Sequence, residues 1–545
     1  MSGQNKYNDF RTMSQKINKL GTDYASLCTV KSLVKTSDGK DIWMLSIGTG
    51  DKDKKPGVAV LGGIEGNYIL GKELALGFAA NLLKESSSPE IKNLLNSLTF
   101  YVFPDVSPDA TEQFFAKLKY ERTVNARATD DDRDFLTDED PYEDLNNDGF
   151  ITLIRITDPT GTYIESEEDK RVLVPADLSK GQFGVYRIYS EGIDNDKDGN
   201  FNEDGAGGVN FNRNFSFNYE EFGLNAGLHA MSEVETKAVA DFLFDHFNIY
   251  ATFAFGPQDN LGQPMKTSDR LGAGQAGGQD QAQDMGRGQG SGRGQGIEQG
   301  TRRITSIMKT DEVINKLVSD KYHEITGIKG FPVSKATPGN FMEWAYFHYG
   351  RYSFSTPGWW LTTEKGKNAE VSFLKYAKEN KINDVFVPWT EIKHPDFPDK
   401  KVEVGGIKPF VMINPPADTL DYLISKNYKF ITAIASMHPE LEYLDPKVEN
   451  TGENIFRVTI KVHNKGIFAT CAEVGDFNLF TRIMRITLEP GTSQSFLSGQ
   501  KVQRIQRLEG DKSAEYSWLI SGKGFIKITA GALNVGTIIT TLELK

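Results

Sequence analysis

Three short acidic stretches carry oxygen-bearing side chains at alternate positions. They lie at residues 130–134, 144–149 and 194–199, and the last two fit D-x-N-x-D-G and D-x-D-x-D-G. Alternating oxygens followed by a glycine turn allow a short loop to surround a hard cation that takes roughly six to eight oxygen ligands. We therefore predict calcium as a structural cofactor. Its predicted ligands are Asp130, Asp132, Asp134, Asp140, Asp144, Asn146, Asp148, Asp194, Asp196, Asp198 and Asp204.

None of the three stretches is a complete EF-hand loop. The last loop position calls for a glutamate, and the residues there are Pro141, Arg155 and Gly205. The sequences DED at 138–140 and NED at 202–204 would have to close the first and third sites. The alternative is that all three are only solvated acidic turns.

A second set of motifs resembles the zinc carboxypeptidases of the carboxypeptidase A type. GGVNFNRNF at 207–215 is similar to the family's V-D-L-N-R-N-F segment, and LGGIEGN at 61–67 is similar to G-x-H-x-x-E. PDVSPDA at 104–110 resembles N-P-D-G, and GNFMEWAYFHYGRYSFS at 339–355 resembles D-W-x-Y and the strand leading to the catalytic Glu. The acidic stretches lie where a bacterial subgroup of the family has them. The motifs together cover about residues 5–370.

The resemblance implies a zinc site whose residues are substituted in this chain. In the family, two ligands come from H-x-x-E, a later strand supplies a His, and a Glu acts as base. The matching positions are Glu65, Tyr68, then Phe255 or Gly256, and Pro357 for the base. A phenol with a pKa near about 10 is a poor ligand at neutral pH, and Phe, Gly and Pro have no ligating side chain. Zinc is therefore not an expected cofactor.

The family's residues for the substrate's terminal carboxylate are partly retained. Asn212 and Arg213 match that pair, and Arg122 or Arg127 matches a further arginine. Arginine binds carboxylates through charge-assisted hydrogen bonds. A peptide with a free C-terminal carboxylate is thus an expected partner. The alternative is that Arg213 pairs with an internal carboxylate and closes the old pocket.

Two functions are compatible with these substitutions. The first is a pseudopeptidase, a catalytically inactive homologue that acts as a peptide- or partner-binding module. The second is an active metallocarboxypeptidase that removes C-terminal residues from peptides with displaced ligands, for which Glu65, Asp259, His348 and Glu364 are the polar candidates. At most one of three zinc ligands remains, which favours the first function.

The elements that must position these residues alternate between strands and helices. Helical spacing of apolar residues spans 7–20 and 70–83, and β-rich runs occur at 29–34, 42–47, 58–61, 98–103 and 249–255. The runs at 29–34 and 42–47 flank turn residues and predict a hairpin. The pattern predicts an α/β domain with a mixed, largely parallel sheet flanked by helices, and ligands at the carboxyl ends of its strands.

The C-terminal part has a different pattern. Beyond a Pro- and Lys-rich stretch at 394–416, short β-like runs such as 456–462 and 524–528 predict an all-β, immunoglobulin-like sandwich. We predict a carboxypeptidase-like domain over 1–404 and a sandwich over 405–545. The first domain contains the acidic loops at 130–204 and a Gly/Gln-rich insert, predicted to be disordered, at 272–300.

Composition and charge narrow the classes of partner. The 545 residues are 38% hydrophobic, with no apolar run long enough to span a membrane, and the net charge of -12 disfavours nucleic acid. Two cysteines provide no disulfide framework. The N-terminus MSGQNKYNDF shows no signal peptide, which alone favours the cytoplasm, whereas the resemblance and the calcium-type loops favour the periplasm or the extracellular space. A protein or cell-surface partner is expected on the sandwich if the cleft is closed.

Overall fold

The computed structural model describes residues 6–130, 137, 140–195, 197, 199, 201–202, 205, 207–267, 304–334, 337–363 and 366–545. The predicted insert at 272–300 lies outside these residues. The strands are β1 (Cys28–Lys35), β2 (Asp41–Ile47), β3 (Gly57–Leu61), β4 (Thr99–Phe103), β5 (Leu153–Thr157), β6 (Tyr163–Glu165), β7 (Leu173–Pro175), β8 (Tyr186–Ser190), β9 (Ile249–Phe255), β10 (Tyr352–Thr356), β11 (Phe386–Ile392), β12 (Val402–Ile407), β13 (Leu441–Gly452), β14 (Ile455–Asn464), β15 (Met484–Glu489), β16 (Ser495–Ser498), β17 (Val502–Ile505), β18 (Lys512–Ser521), β19 (Gly524–Ala532) and β20 (Gly536–Leu544). The α-helices are α1 (Phe10–Asp23), α2 (Ile69–Lys84), α3 (Pro89–Ser97), α4 (Pro108–Thr111), α5 (Val234–Asp245), α6 (Lys309–Thr326), α7 (Phe341–Phe347), α8 (Ala369–Glu379), α9 (Leu420–Ala435) and α10 (Glu473–Phe477).

The first sheet has the strand order β1-β2-β4-β3-β9-β10. β1, β2 and β4 are antiparallel neighbours, whereas β4, β3, β9 and β10 run parallel to one another. Every residue of β3, β4, β9 and β10 is buried, as expected of parallel strands that helices cover on both faces. The predicted α/β fold and its hairpin are confirmed.

Helix α2 follows the turn after β3 and is mostly buried. Its Gly77 allows close contact with α9, because a Cβ atom there would lie 2.4 Å from Cγ2 of Ile424. Since α9 contributes Leu423, Phe430 and Ile431 to the large core around the first sheet, it belongs to the first domain.

A second sheet is not predicted by any sequence pattern. It has the order β11-β12-β5-β8-β6-β7, and its neighbouring strands are antiparallel. Its strand β12 crosses the predicted boundary at 404/405, with Val402 and Val404 fully buried. Together with the position of α9, this places the division between the domains near residue 440 instead of 404. The Pro- and Lys-rich stretch is therefore part of the first domain.

The C-terminal part consists of two four-stranded antiparallel sheets, β13-β14-β18-β16 and β17-β15-β19-β20. In β14 alternate residues, Phe456, Val458, Ile460 and Val462, are buried, because successive side chains of a strand point to opposite faces. These residues share a core with Trp518. The predicted all-β sandwich is confirmed. Among the described residues no helix is long and apolar enough to cross a membrane.

Candidate functional site

Glu65 lies in the turn between β3 and α2, at the carboxyl end of the parallel strands. Its carboxylate accepts hydrogen bonds from the side-chain amides of Asn210 and Asn212, the latter at 2.9 Å. Burial raises the pKa of Glu65, and the two amides and the nearby Arg213 guanidinium oppose that rise. The carboxylate that stands at the family's first histidine position is thus bound within the protein.

Asn212 is fully buried and connects three parts of the site. Its amide also donates to Oε1 of Gln258 at 2.7 Å, and its carbonyl oxygen accepts from the backbone N–H of Phe341 at 3.0 Å. Both ends of the side chain are therefore used internally. That Asn212 and Arg213 together hold a substrate carboxylate stays a prediction.

The other two zinc positions do not supply ligands. Burial and the nearby carboxylates of Glu65 and Glu121 raise the pKa of Tyr68 to about 12, so its phenol stays protonated at neutral pH. Phe255 is 3% exposed at the end of β9. A Cβ atom at Gly256 would lie 3.0 Å from the Ile64 side chain, so there is little room for a larger residue.

The base position, Pro357, is buried directly after β10. The next residue, Gly358, has a φ of 76°, and a Cβ atom there would lie 2.4 Å from Leu74 of α2. The chain therefore turns closely over α2 at the point where the family has its base.

These residues do not fit a zinc ion. A catalytic site needs three protein ligands with an open fourth position. Glu65 alone has a ligating group, and its oxygens already accept two amide hydrogen bonds. Within the described part of the chain, no three His, Cys, Asp or Glu side chains are close enough together to hold a metal ion.

The arginines of the predicted carboxylate site lie in different surroundings. Arg213 is partly exposed and donates to the backbone oxygen of Leu224 at 2.8 Å. Arg127 instead forms a bidentate salt bridge with the buried Glu233, at 2.9 and 3.0 Å. Arg122 donates to backbone oxygens of Val124 and Asn125. Arg213 is the arginine best placed to meet a ligand.

The candidates for displaced metal ligands do not converge. Burial raises the pKa of Asp259 to about 6, and its carboxylate accepts from the backbone N–H groups of Gly262 and Gln263. His348 is exposed and shares a hydrogen bond with Ser216 at 2.9 Å. Glu364 lies outside the described residues.

The acidic stretches are described only in part. Asp132, Asp134, Asp196, Asp198 and Asp204 lie outside the described residues, whereas Asp130, Asp140, Asp144, Asn146, Asp148 and Asp194 lie within them.

In the 144–149 loop, the Asp144 carboxylate accepts from the backbone N–H groups of Asp148 and Gly149. Asp140 is fully buried and accepts from the backbone N–H groups of Asn195 and Asn202, which ties the first stretch to the third. Oδ1 of Asp194 is buried and has no hydrogen-bond partner among the described residues.

A cavity of about 500 Å³ lies on the second sheet. Its wall includes Glu121, whose carboxylate accepts from the Asn67 side chain at 2.9 Å, so the cavity borders the segment that carries Glu65 and Tyr68. Aromatic side chains line part of the wall, among them the stacked pair Tyr120 and Tyr142. This volume is typical of ligand pockets.

Sequence reasoning missed the partners that hold Glu65 and Asn212 in place. Asn210 lies two residues before Asn212 in the same segment, and Gln258 lies three residues after β9. The position of Gln258 just after the carboxyl end of a parallel strand could have indicated a site residue, because ligands bind at the carboxyl ends of such strands.

Comparison with known proteins gives matches to two families. Residues 13–150 match the family described as zinc carboxypeptidase, and residues 440–543 match one described as a domain of unknown function. Carboxypeptidase D of Rattus norvegicus is 26% identical over 138 residues, which cover 24% of this chain and 10% of that protein. A zinc carboxypeptidase of Saccharothrix mutabilis subsp. capreolus is 27% identical over 118 residues, covering 20% of this chain and 26% of the relative. The chain thus matches only about a tenth to a quarter of these relatives' lengths.

Two solved structures are similar at low identity. Bovine thrombin-activatable fibrinolysis inhibitor in complex with tick carboxypeptidase inhibitor has 14% identity and a TM-score of 0.41, covering 80% of this chain and 98% of that chain. Carboxypeptidase A of Helicoverpa armigera has 13% identity and a TM-score of 0.42, covering 79% and 74%.

The chain has an α/β domain followed by a β-sandwich, and residues 13–150 of the α/β domain are similar to the zinc carboxypeptidases. The resemblance to the carboxypeptidase A-like zinc carboxypeptidases is confirmed by the match over residues 13–150, which includes Glu65 and Tyr68. The assignments of Phe255 or Gly256 and of Pro357 lie outside that match and rest on the motifs.

Proposed function

We propose that this protein is a catalytically inactive homologue of the metallocarboxypeptidases that acts as a peptide- or partner-binding module. The observation that carries the proposal is the state of Glu65. It replaces a zinc-binding histidine, and its carboxylate is held by Asn210 and Asn212. With the protonated phenol of Tyr68 and the buried Pro357, the matching positions offer at most one zinc ligand and no base.

The alternative is an active peptidase with displaced ligands. Asp259 is occupied by backbone N–H groups and His348 is exposed beside Ser216. Neither residue is placed with Glu65 in a three-ligand arrangement, which favours the inactive homologue.

A peptide ligand is the partner that the site supports best. Arg213 keeps a partly exposed guanidinium beside the Glu65 network, and the cavity of about 500 Å³ borders Asn67 through Glu121. Because a guanidinium binds a carboxylate in a bidentate manner, peptides with a free C-terminus should bind more tightly than amidated peptides.

The test combines metal analysis, a peptidase assay and peptide titration on the same purified protein. We expect no stoichiometric zinc, no release of C-terminal residues, and a binding preference for free-acid over amidated peptides that Arg213→Ala removes. Arg457→Ala on the sandwich is the control and should leave the preference unchanged. One zinc per chain, lost on Glu65→Ala and accompanied by peptidase activity, would establish the alternative. Equal binding of free-acid and amidated peptides would indicate that a partner binds on the sandwich instead, where Phe525 and Ile539 are exposed.

Calcium binding by the acidic loops is the second part of the proposal. The unpartnered, buried Oδ1 of Asp194 supports it, since such an oxygen is expected to have a ligand. The proposal includes a location in the periplasm or outside the cell. Calcium sites of extracellular modules have dissociation constants of about 0.1 to 1 mM, and we propose sites of this kind here.

Calcium should therefore raise the melting temperature, because a ligand that binds only the native state stabilises it. Saturation to about 100 times the dissociation constant would add about 2.7 kcal/mol. Thermal unfolding with chelator and with added calcium measures this effect. Asp194→Asn should reduce the shift, whereas Asp418→Asn, far from the loops in sequence, should not. A melt that is unchanged by both additions would show that the loops are only solvated turns.

A further inference from the structure

A small cavity of about 10 Å³ lies beside α4, the start of α5 and the segment that leads to Asn210. The polar residues in its wall are Ser107, Asp109, Asn125, Glu233, Glu235 and Thr236. A space of this size holds one water molecule or one small ion.

Three oxygens in this wall have no hydrogen-bond partner among the described residues. They are Oγ of Ser107, Oε2 of Glu235 and Oγ1 of Thr236. Glu235 is 3% exposed and Thr236 is fully buried, so bulk water does not satisfy them. A buried polar group without a partner is destabilising, which indicates an occupant in the cavity.

The charges around the cavity do not balance. Asp109 faces Lys40, with 3.4 Å between Oδ1 and Nζ, and Glu233 is paired with Arg127. Among the described residues Glu235 forms no ion pair, and its carboxylate accepts from its own backbone N–H and, at 3.5 Å, from the Asn125 amide. When Glu235 is ionised, its negative charge therefore has no counter-charge beside it in a buried site, where a charge without a partner is strongly unfavourable.

We propose that this cavity binds one small monovalent cation, sodium, with Glu235, Ser107 and Thr236 as its oxygen ligands. A divalent ion is disfavoured because, in the residues that the structure describes, no three acidic, His or Cys side chains come together to hold a metal. Water alone would satisfy the hydroxyl groups but would leave the charge of Glu235 unpaired.

A proton is the competitor for this site. Burial, with the nearby carboxylates of Asp109 and Glu233, raises the pKa of Glu235 to about 7. Without sodium, the native state therefore keeps a proton on Glu235 at pH values where the unfolded state has already released it. The free energy of unfolding then falls as the pH rises from the ordinary pKa of a glutamate to about 7. Sodium should oppose that fall. The proposed sodium site does not depend on the proposed peptide ligand. Val209 and Phe211, which also line the cavity, are neighbours in sequence of Asn210 and Asn212.

The test is thermal unfolding of the full chain at about pH 8, above the pKa of Glu235, with chelator present to remove calcium. Sodium chloride is compared with potassium chloride and choline chloride at equal ionic strength. We expect the melting temperature in sodium to exceed that in choline by about 2 °C or more, with a smaller difference for potassium.

Variants show whether the effect comes from this cavity. Glu235→Gln keeps the shape of the side chain without its charge and should abolish the difference between sodium and choline, and Ser107→Ala should reduce it. Glu221→Gln, an exposed change before the same helix, should keep it. Equal melting temperatures of the unmodified protein in sodium and choline, or a sodium effect that survives Glu235→Gln, would overturn the proposal. An equal effect of potassium would overturn the assignment to sodium.

Discussion

Replacing Asn212 by alanine should lower the free energy of unfolding by about 3–5 kcal/mol. The change would leave Gln258 Oε1 and the Phe341 N–H without their partner and would remove one of two amides that stabilise the half-buried Glu65 carboxylate. A buried polar group without a partner destabilises the native state by its full desolvation free energy, and this cost is larger for a charged group than for a neutral one. Chemical denaturation followed by circular dichroism measures the difference.

The matched control is Asn18→Ala on the exposed face of α1, where the side chain donates only to Ser14 of the same helix. That change should stay within about 0.5 kcal/mol. In a double-mutant cycle, Glu65→Gln should remove part of the loss caused by Asn212→Ala, because the carboxylate that the Asn212 amide stabilises is then absent. If Asn212→Ala is no more destabilising than the control, the Glu65 network contributes little to the native state.

Most of the framework could be predicted from local sequence patterns. The continuous apolar runs of β3, β4 and β9 indicate buried parallel strands, and alternate burial in β14 follows from the period of a strand. These patterns depend only on neighbouring residues. They therefore predict the strands and helices but not where each domain ends. The predicted division falls before α9, because the burial of α9 in the first core depends on tertiary contacts that no local pattern shows.

The second sheet and the internal state of the site depend on contacts between distant residues. β5 pairs with β12 although about 250 residues separate them, and β6 and β7 have only three residues each. Motif order located Glu65 and Asn212 but did not show that the two side chains bind each other across 147 positions of sequence. A motif specifies which residues come to a site, whereas their hydrogen-bond partners are set by packing.

One buried carboxylate makes several of the hydrogen bonds between the sandwich and the first domain. Asp311 in α6 has a fully buried side chain that accepts from the backbone N–H groups of Glu473 and Val474 in α10, at 2.8 and 3.1 Å, and from the Tyr346 hydroxyl at 2.8 Å. The Arg507 guanidinium lies 3.7 Å away. In return, the Glu473 carboxylate accepts from the backbone N–H and the hydroxyl of Thr310.

Asp311→Ala should therefore destabilise the protein by about 3–5 kcal/mol, since it leaves the N–H groups of Glu473 and Val474 and the Tyr346 hydroxyl without their acceptor. Because these groups join the two domains, we also expect a single unfolding transition to separate into two, with the sandwich unfolding apart from the α/β domain. Differential scanning calorimetry detects both effects. Asp320→Ala on the exposed face of the same helix, where the aspartate pairs only with Lys316, is the control and should change stability by less than about 0.5 kcal/mol. If Asp311→Ala preserves one cooperative transition at the original temperature, the domains are held together by apolar packing instead.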